Sequence, residues 1–181
     1  MSAQSPSLTN ATLNKLRAAV LGANDGIVST ASVVMGVAGA TSDAPAIFTA
    51  GMAALVAGAL SMAVGEYVSV SSQRDAEIVS AKHDETHDGE FTSPWAAAIA
   101  SFLAFSVGGL VPFIAVILAP DDTRIAVTVA AVLVGLVATG YFSAQVGKAS
   151  KFRAVLRVVI GGLLAMAITY FIGTVFGTVV A

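Results

Sequence analysis

The sequence predicts an all-α integral membrane protein with five transmembrane helices. Of its 181 residues, 56% are hydrophobic and 11% are charged, whereas soluble domains average about 25% charged residues. The mean hydropathy is +0.86. A helix needs about 20 apolar residues to cross a hydrocarbon core of about 30 Å. Apolar runs of this length fill most of residues 1–181, which we therefore interpret as a single transmembrane domain.

Five apolar runs meet the length requirement, and polar segments separate them. The first follows a polar leader without an obvious small-residue cleavage site, so we expect it to stay in the mature protein. A short acidic linker, 71–94, separates the second run from the third, which starts after Pro94. The fourth follows the Asp pair at 121–122, and the fifth follows a basic segment at 148–153. The predicted spans are about 18–40, 46–70, 95–119, 124–146 and 155–180.

The distribution of lysine and arginine predicts the orientation. Nearly all of these residues precede span one, lie between spans two and three, or lie between spans four and five. Arg124 is the exception. Because cytoplasmic loops carry an excess of Lys and Arg, the basic side should be cytoplasmic. The N-terminus is then predicted in the cytosol and the C-terminus outside.

Two carboxylates, Asp25 and Glu66, fall inside the apolar runs. A charge at the centre of a membrane helix costs roughly 2.5–3.5 kcal/mol on insertion scales, so such a residue normally faces a partner, a cavity or an ion path. Spans one and two run in opposite directions, which should bring both acids to similar depth in the cytoplasmic third. Two structural alternatives remain open: Asp25 bonded to Asn24 or to a neighbouring helix, and Glu66 snorkelling to the interface.

Helical spacing groups each acid with candidate ligands. On span one, Asp25 shares a small, polar stripe with Ser29 and Ser32. On span two, Met62 lies one turn deeper than Glu66 on the same face. Carboxylate oxygens suit Mn²⁺ and Fe²⁺, and a thioether disfavours Ca²⁺ and Mg²⁺. The pattern predicts a transition-metal site of Asp25, Met62 and Glu66, although a methionine in an apolar helix more often serves packing.

Small residues on span two form an adjacent stripe that should let another helix approach closely. The stripe consists of Ala54, Gly58, Ser61 and Gly65.

The acidic linker is a secondary candidate. His83, Asp84, Glu85 and His87 could collect metal at the cytoplasmic mouth, although a solvated loop is the stronger interpretation because the ligand spacing is not diagnostic. The chain has no cysteine, which excludes thiolate metal sites and disulfides.

Two long motifs resemble the vacuolar iron transporter family, which includes the yeast vacuolar iron and manganese importer and the nodulin-21-like proteins. They are Gly-Ala-Asn-Asp-Gly-Ile-Val-Ser at 22–29 and the run from Gly58 to Glu77. The resemblance continues through Pro94-Trp95 and Leu110-Val-Pro112 to the glycines of span five. It implies a five-helix protomer and a homodimer with its ion path between the subunits. It also implies export of Fe²⁺ or Mn²⁺ from the cytosol in exchange for protons, with Asp25 and Met62 lining the path.

The chain departs from the plant vacuolar members in two ways. Its linker is too short for the cytoplasmic metal-binding domain that those members insert between spans two and three. The resemblance implies that Glu66 takes over the role of a carboxylate that those members carry at a different position of span two.

These observations predict export of Fe²⁺ or Mn²⁺ from the cytosol by proton antiport, with the metal as cargo rather than cofactor. Asn24, Ser29 and Ser32 are candidate path-lining residues. Two alternatives remain: a proton-coupled carrier of a small organic solute, and a non-transporting membrane scaffold. An enzyme is not expected, because hydrolase and metalloprotease motifs are absent. Nucleic-acid binding is not expected at a net charge of -2. We expect a multi-pass protein of the prokaryotic inner membrane.

Overall fold

The structure, a computed structural model, describes residues 10–81 and 91–180. They form five α-helices, each long and apolar enough to cross a membrane. The predicted all-α, five-span architecture agrees with this arrangement. The helices are α1 (Asn10–Ala40), α2 (Ala44–Ala81), α3 (Pro94–Leu118), α4 (Arg124–Val146) and α5 (Lys151–Val180).

Helix α2 is much longer than its predicted span. It has 38 residues and therefore measures about 57 Å at a rise of 1.5 Å per residue. The helix continues past the predicted span 46–70, because residues 71–81 of the predicted linker are also helical. Glu77 anchors this extension to the start of α3: its Oε2 accepts hydrogen bonds from Thr92 N–H at 3.0 Å and from Thr92 Oγ1 at 3.1 Å.

Helix α1 also begins earlier than predicted, at Asn10 rather than at residue 18. The linker residues proposed to capture metal, His83, Asp84, Glu85 and His87, lie outside the described residues.

Helix α1 lies at the centre of the bundle. It contacts all four other helices, whereas α2 contacts only α1 and α3 within the described part of the chain. Glycines permit the close approach on both sides of α1. A Cβ atom on Gly26 would collide with the backbone oxygen of Phe105 in α3, and one on Gly173 of α5 would collide with the backbone oxygen of Gly36. Such backbone contact between membrane helices requires small residues.

Two apolar cores lie within the bundle, and the first of them includes α1. On one side, Ile27 and Met35 pack with Leu136 of α4 and Met166 of α5. On the other, α3 joins α2 through a core built around Phe105. A further face of α1 is left uncovered by the other helices, and the exposed side chains of this face include Leu21 and Val33.

Contacts between α1 and α2 fix their register and define two ends of the bundle. Asn14 Nδ2 donates a hydrogen bond to Gln73 Oε1 at 3.1 Å, and Ala18 packs with Val70 and with Ala97 of α3. The starts of α1, α3 and α5 therefore lie with the ends of α2 and α4. We call this the basic end, because it carries every described lysine and arginine except Arg124, which begins α4 at the far end.

Candidate functional site

Asp25 lies in the middle of α1, on a backbone that is held against α3. Its neighbour Gly26 touches α3 directly, and Ser29 Oγ donates a hydrogen bond to the Asp25 backbone oxygen at 2.5 Å. The carboxylate itself is partly buried. Among the described residues it has no hydrogen-bond or ion-pair partner. The structural alternative in which Asn24 bonds to Asp25 is therefore not what the structure contains.

Glu66 is held differently. Its side chain is 6% exposed, and its Oε2 lies 3.2 Å from Nη2 of Arg17, whose side chain is 52% exposed. The alternative in which Glu66 snorkels to the interface is wrong, since the carboxylate is buried and paired. Sequence reasoning missed Arg17, which it counted only as a charge that orients span one. The signal that could have identified it is the antiparallel register, because Arg17 and Glu66 lie close in depth on neighbouring helices.

The helix register places the two acids about one turn apart in depth. Ala18 lies level with Val70, and each step along α1 matches one step back along α2 because the helices are antiparallel. Asp25 therefore lies level with the turn of α2 that contains Met62. Glu66 lies about one turn closer to the basic end. Asp25 and Glu66 were predicted to lie at similar depth. They lie about one turn apart, and Asp25 is closer in depth to Met62 than to Glu66.

Met62 is partly buried against the core between α2 and α3. It packs on a cluster of Leu55, Ala59, Phe105 and Phe113. These are packing contacts, as the conventional interpretation of a membrane methionine expects. Its role as a metal ligand stays a prediction.

Several buried oxygens on α1 lack hydrogen-bond partners. They are Asn24 Oδ1, Thr30 Oγ1 and Ser32 Oγ. Ser101 Oγ of α3, which packs on Gly22 of α1, is also unpaired. Other hydroxyl groups in the spans are satisfied within their own helix: Thr128 donates to the Arg124 backbone oxygen at 2.8 Å, and Thr169 donates to that of Ala165 at 3.0 Å. Buried polar atoms in proteins are nearly always paired with protein, water or a ligand. The unpaired oxygens on α1 are therefore candidates to contact water or a ligand.

A cavity of about 540 Å³ lies beside α1. Its walls are mostly apolar, and its polar lining comes from Arg17, Asn24, Thr139 and Ser143. Along α1 it extends from Arg17 to Asn24.

Small residues on α1 and on the predicted stripe of α2 pack against different neighbours. On α1, Gly22 packs on Ser101 of α3 while Gly36 packs on Thr169 of α5. On α2, Gly58 packs on the Phe105 ring, whereas a Cβ on Gly65 would have no atom within 4 Å. Ser61 is exposed. The part of the stripe near Glu66 is thus open in the single chain.

One protomer does not assemble a complete metal site in the described part of the chain. No group of three or more His, Asp or Glu side chains converges there. Asp25, Glu66 and Met62 are brought to neighbouring levels of two adjacent helices, and no described contact joins them.

Five long apolar helices with two acids inside them define a multi-pass membrane protein with ionisable groups at membrane depth. The chain belongs to the VIT family, whose sequence profile matches residues 16–88 and 78–174. This confirms the resemblance found in its motifs.

Plant relatives match most of the chain. It is 48% identical over 167 residues to "Vacuolar iron transporter homolog 1" of Arabidopsis thaliana, covering 90% of this chain and 84% of the relative. It is 50% identical over 159 residues to "Vacuolar iron transporter homolog 4" of the same plant, covering 86% and 80%. The "VIT-like transporter 1b" of Glycine max is 42% identical over 167 residues, covering 86% and 73%.

Proposed function

We propose that this protein transports a divalent transition-metal cation, Fe²⁺ or Mn²⁺, out of the cytosol. The observation that carries the proposal is the unpartnered carboxylate of Asp25 in the middle of a span, next to the unpaired Asn24 Oδ1. A carboxylate and an amide oxygen are ligands that such cations accept. A transient cation would offset the cost of placing these oxygens in the membrane. The relatives are named as vacuolar iron transporter homologues, which supports iron as the cargo.

A complete coordination shell requires a second copy of the chain, so we include a homodimer in the proposal. One protomer supplies two carboxylates and one thioether, and two protomers related by a two-fold axis supply twice that number. The uncovered face of α1 at Leu21 and the open surface of α2 at Ser61 and Gly65 border Asp25 and Glu66. Pairing of these faces would put the acids of both subunits along one path.

Two glycines provide a matched test of the dimer. Gly65 on α2 and Gly161 on α5 are both exposed, and neither has an atom within 4 Å of where a Cβ would stand. Gly65→Trp should convert the detergent-solubilised dimer to monomer in light-scattering measurements, because the indole would occupy the proposed interface. Gly161→Trp should leave the dimer intact. Dissociation by Gly161→Trp alone would place the interface on α5 and contradict the proposal.

Proton exchange completes the proposed cycle. A metal ion enters from the basic end, which the positive-inside rule assigns to the cytosol, and binds the ionised acids. On the other side of the membrane, protons compete for the same oxygens and release the metal. The protonated carrier then returns.

Transport by proteoliposomes tests the whole proposal. Vesicles with an acidic interior should accumulate Fe²⁺ and Mn²⁺ and should lose protons as they do so. Asp25→Ala should abolish uptake, whereas Asp122→Ala, which removes an exposed acid at the far end, should not. Full flux through Asp25→Ala would refute the assignment of this residue. Metal-independent proton flux driven by an organic solute would favour a solute carrier, and no flux of any kind would favour a scaffold.

The proposal includes the orientation of the protein in its membrane and leaves open which membrane that is. The relatives are plant proteins named for the vacuole, so they give no support to the predicted prokaryotic inner membrane. Removal of metal from the cytosol is the proposed direction in either membrane. Immunolocalisation in the source cell decides between them.

A further inference from the structure

Arg17 reaches into the membrane to meet Glu66. The register places the backbone of Arg17 level with the turn of α2 near Val70, about one turn closer to the basic end than Glu66. The guanidinium nevertheless lies 3.2 Å from the Glu66 carboxylate. Two general tendencies oppose this position. Helix side chains point toward the helix N-terminus, which for α1 is the basic end, and arginines near helix ends extend toward water.

We propose that Arg17 is a tethered counter-cation, which occupies Glu66 in the empty transporter and which the metal must displace. The inference rests on the proposed function and adds to it the resident cation of the metal site. Glu66 is buried while Arg17 is half exposed, so the guanidinium is the partner that a metal can displace toward water. The carboxylate stays in place, and the guanidinium has a route to water at the basic end.

Displacement by a metal makes Arg17 a specificity-determining residue. A guanidinium on the same protein competes for Glu66 at a high effective concentration. A monovalent ion brings no more charge than the guanidinium and gains little by the exchange. A divalent ion brings twice the charge and binds several oxygens at once. Arg17 therefore excludes Na⁺ and K⁺ while it admits Fe²⁺ and Mn²⁺.

Arg17 also has a role after the metal leaves. When the guanidinium returns to Glu66, the carboxylate is not left as an isolated buried charge, which is the costly state for an ionised group away from water. The return of Arg17 would also hinder rebinding of the metal. Loss of Arg17 should therefore strengthen metal binding and slow turnover together, which separates its role from that of a simple structural contact.

Equilibrium binding of Mn²⁺ to the purified full-length chain in detergent tests the inference, with free Mn²⁺ measured by electron paramagnetic resonance. Arg17→Gln should lower the Kd for Mn²⁺ by roughly 10-fold, the scale of one lost competing charge contact, and K⁺ should then compete with Mn²⁺. In proteoliposomes the same variant should lower both KM and the maximal rate. Lys15→Gln removes an equal charge from an exposed position on the same helix and should change none of these values.

Two further variants keep the test decisive. In a Glu66→Gln background, Arg17→Gln should have no additional effect on the Kd, because the competition has already been removed. Should Arg17→Gln fail to fold, Arg17→Lys measures the same competition, since a lysine lacks the planar fork of donors, and the Kd should fall by roughly threefold.

The outcomes separate this inference from the proposed function. Equal Kd values and equal K⁺ competition for Arg17→Gln and Lys15→Gln would overturn the counter-cation role while transport by the wild-type chain still stood. Absence of metal flux from the wild-type chain, or full flux through Asp25→Ala, would overturn the proposed function itself.

Discussion

The two acids inside the spans differ in what balances their charge. Glu66 is buried and paired with Arg17. Asp25 is partly buried and has no partner among the described residues. Both acids lie on helices that pack against α3. The distinction lies in whether the chain itself supplies the balancing cation.

This difference indicates that the two positions depend on a transported cation to different degrees. A buried charge that lacks a partner is destabilising, and removing it can stabilise a fold. A buried charge with a partner becomes costly only when that partner is taken away. Substitutions of Asp25 and Glu66 should therefore have opposite effects on stability, although both should reduce transport.

The largest effect is expected for Asp25→Asn. Partners that only orient a metal ligand typically cost 10–100-fold when they are mutated, so loss of the ligand itself should reduce metal flux by more than about 100-fold. Removal of an unpartnered charge should at the same time raise stability, by roughly 1 kcal/mol. Flux in proteoliposomes and thermal unfolding in detergent measure the two quantities. A lower melting temperature with normal flux would show that Asp25 has a structural role instead.

A smaller loss of transport is expected for Glu66→Gln. Binding of the metal to Glu66 is partly offset by the loss of the Arg17 contact, so removing this ligand should cost less than removing Asp25 and flux should fall by roughly 10-fold. Stability should fall rather than rise, because Arg17 would face a neutral amide. Since Arg17 is half exposed, this loss should stay below about 1 kcal/mol. Arg17→Gln added to Glu66→Gln should restore the melting temperature, and a further drop would contradict the pairing as the cause.

Met62→Leu should change selectivity more than rate. The two side chains have similar volumes, so the substitution should cost less than about 1.5 kcal/mol. If the thioether contacts the passing ion, the preference for Fe²⁺ over Mn²⁺ should fall by about two- to fivefold, because a thioether favours the softer cation. Met166→Leu is the matched control, since Met166 is buried in the core that α5 shares with α1 and α4. Equal selectivity in both variants would assign Met62 to packing alone.

The sequence was sufficient to predict the helices and the two acids, for clear physical reasons. A bilayer of fixed thickness demands about 20 apolar residues per span, so the hydropathy of the chain locates α3, α4 and α5 within a few residues. Asp25 and Glu66 are recognisable because charges are rare inside such runs. The far-end bounds of α1 and α2 were also close to the prediction.

The parts that the sequence did not predict depend on polar residues near the ends of helices. Hydropathy measures where lipid begins and not where a helix stops, so the extension of α2 through 71–81 was missed. Its helical state depends on contacts between distant residues, such as that of Glu77 with Thr92. Arg17 was missed because a long side chain can extend either toward the helix end or toward the middle of the membrane. The position of its partner, Glu66, determines the direction.

The far end of the bundle carries an ion pair of the reverse kind, and it gives the smallest predicted effect. Arg124 is the buried partner, with a side chain 8% exposed, and Asp121 is 77% exposed. Arg124 Nε has no hydrogen-bond partner in the described part of the chain. Arg124 begins α4, and its guanidinium lines a small cavity with Ile47 and Phe48 of α2 and Val116 of α3.

Asp121→Asn should therefore lower stability by at most about 1 kcal/mol, because water can solvate the exposed side of the pair. Metal flux should stay within about twofold of the wild-type value, since Asp121 lies at the opposite end from Glu66 and an exposed charge acts only over a screening distance of about 10 Å. Comparison with Glu66→Gln shows which property of the two ion pairs affects transport. Only the pair whose buried member is an anion can exchange its partner for a metal cation, so only that pair should affect transport. A loss of flux in Asp121→Asn comparable to that of Glu66→Gln would show that both ends of the bundle handle the ion.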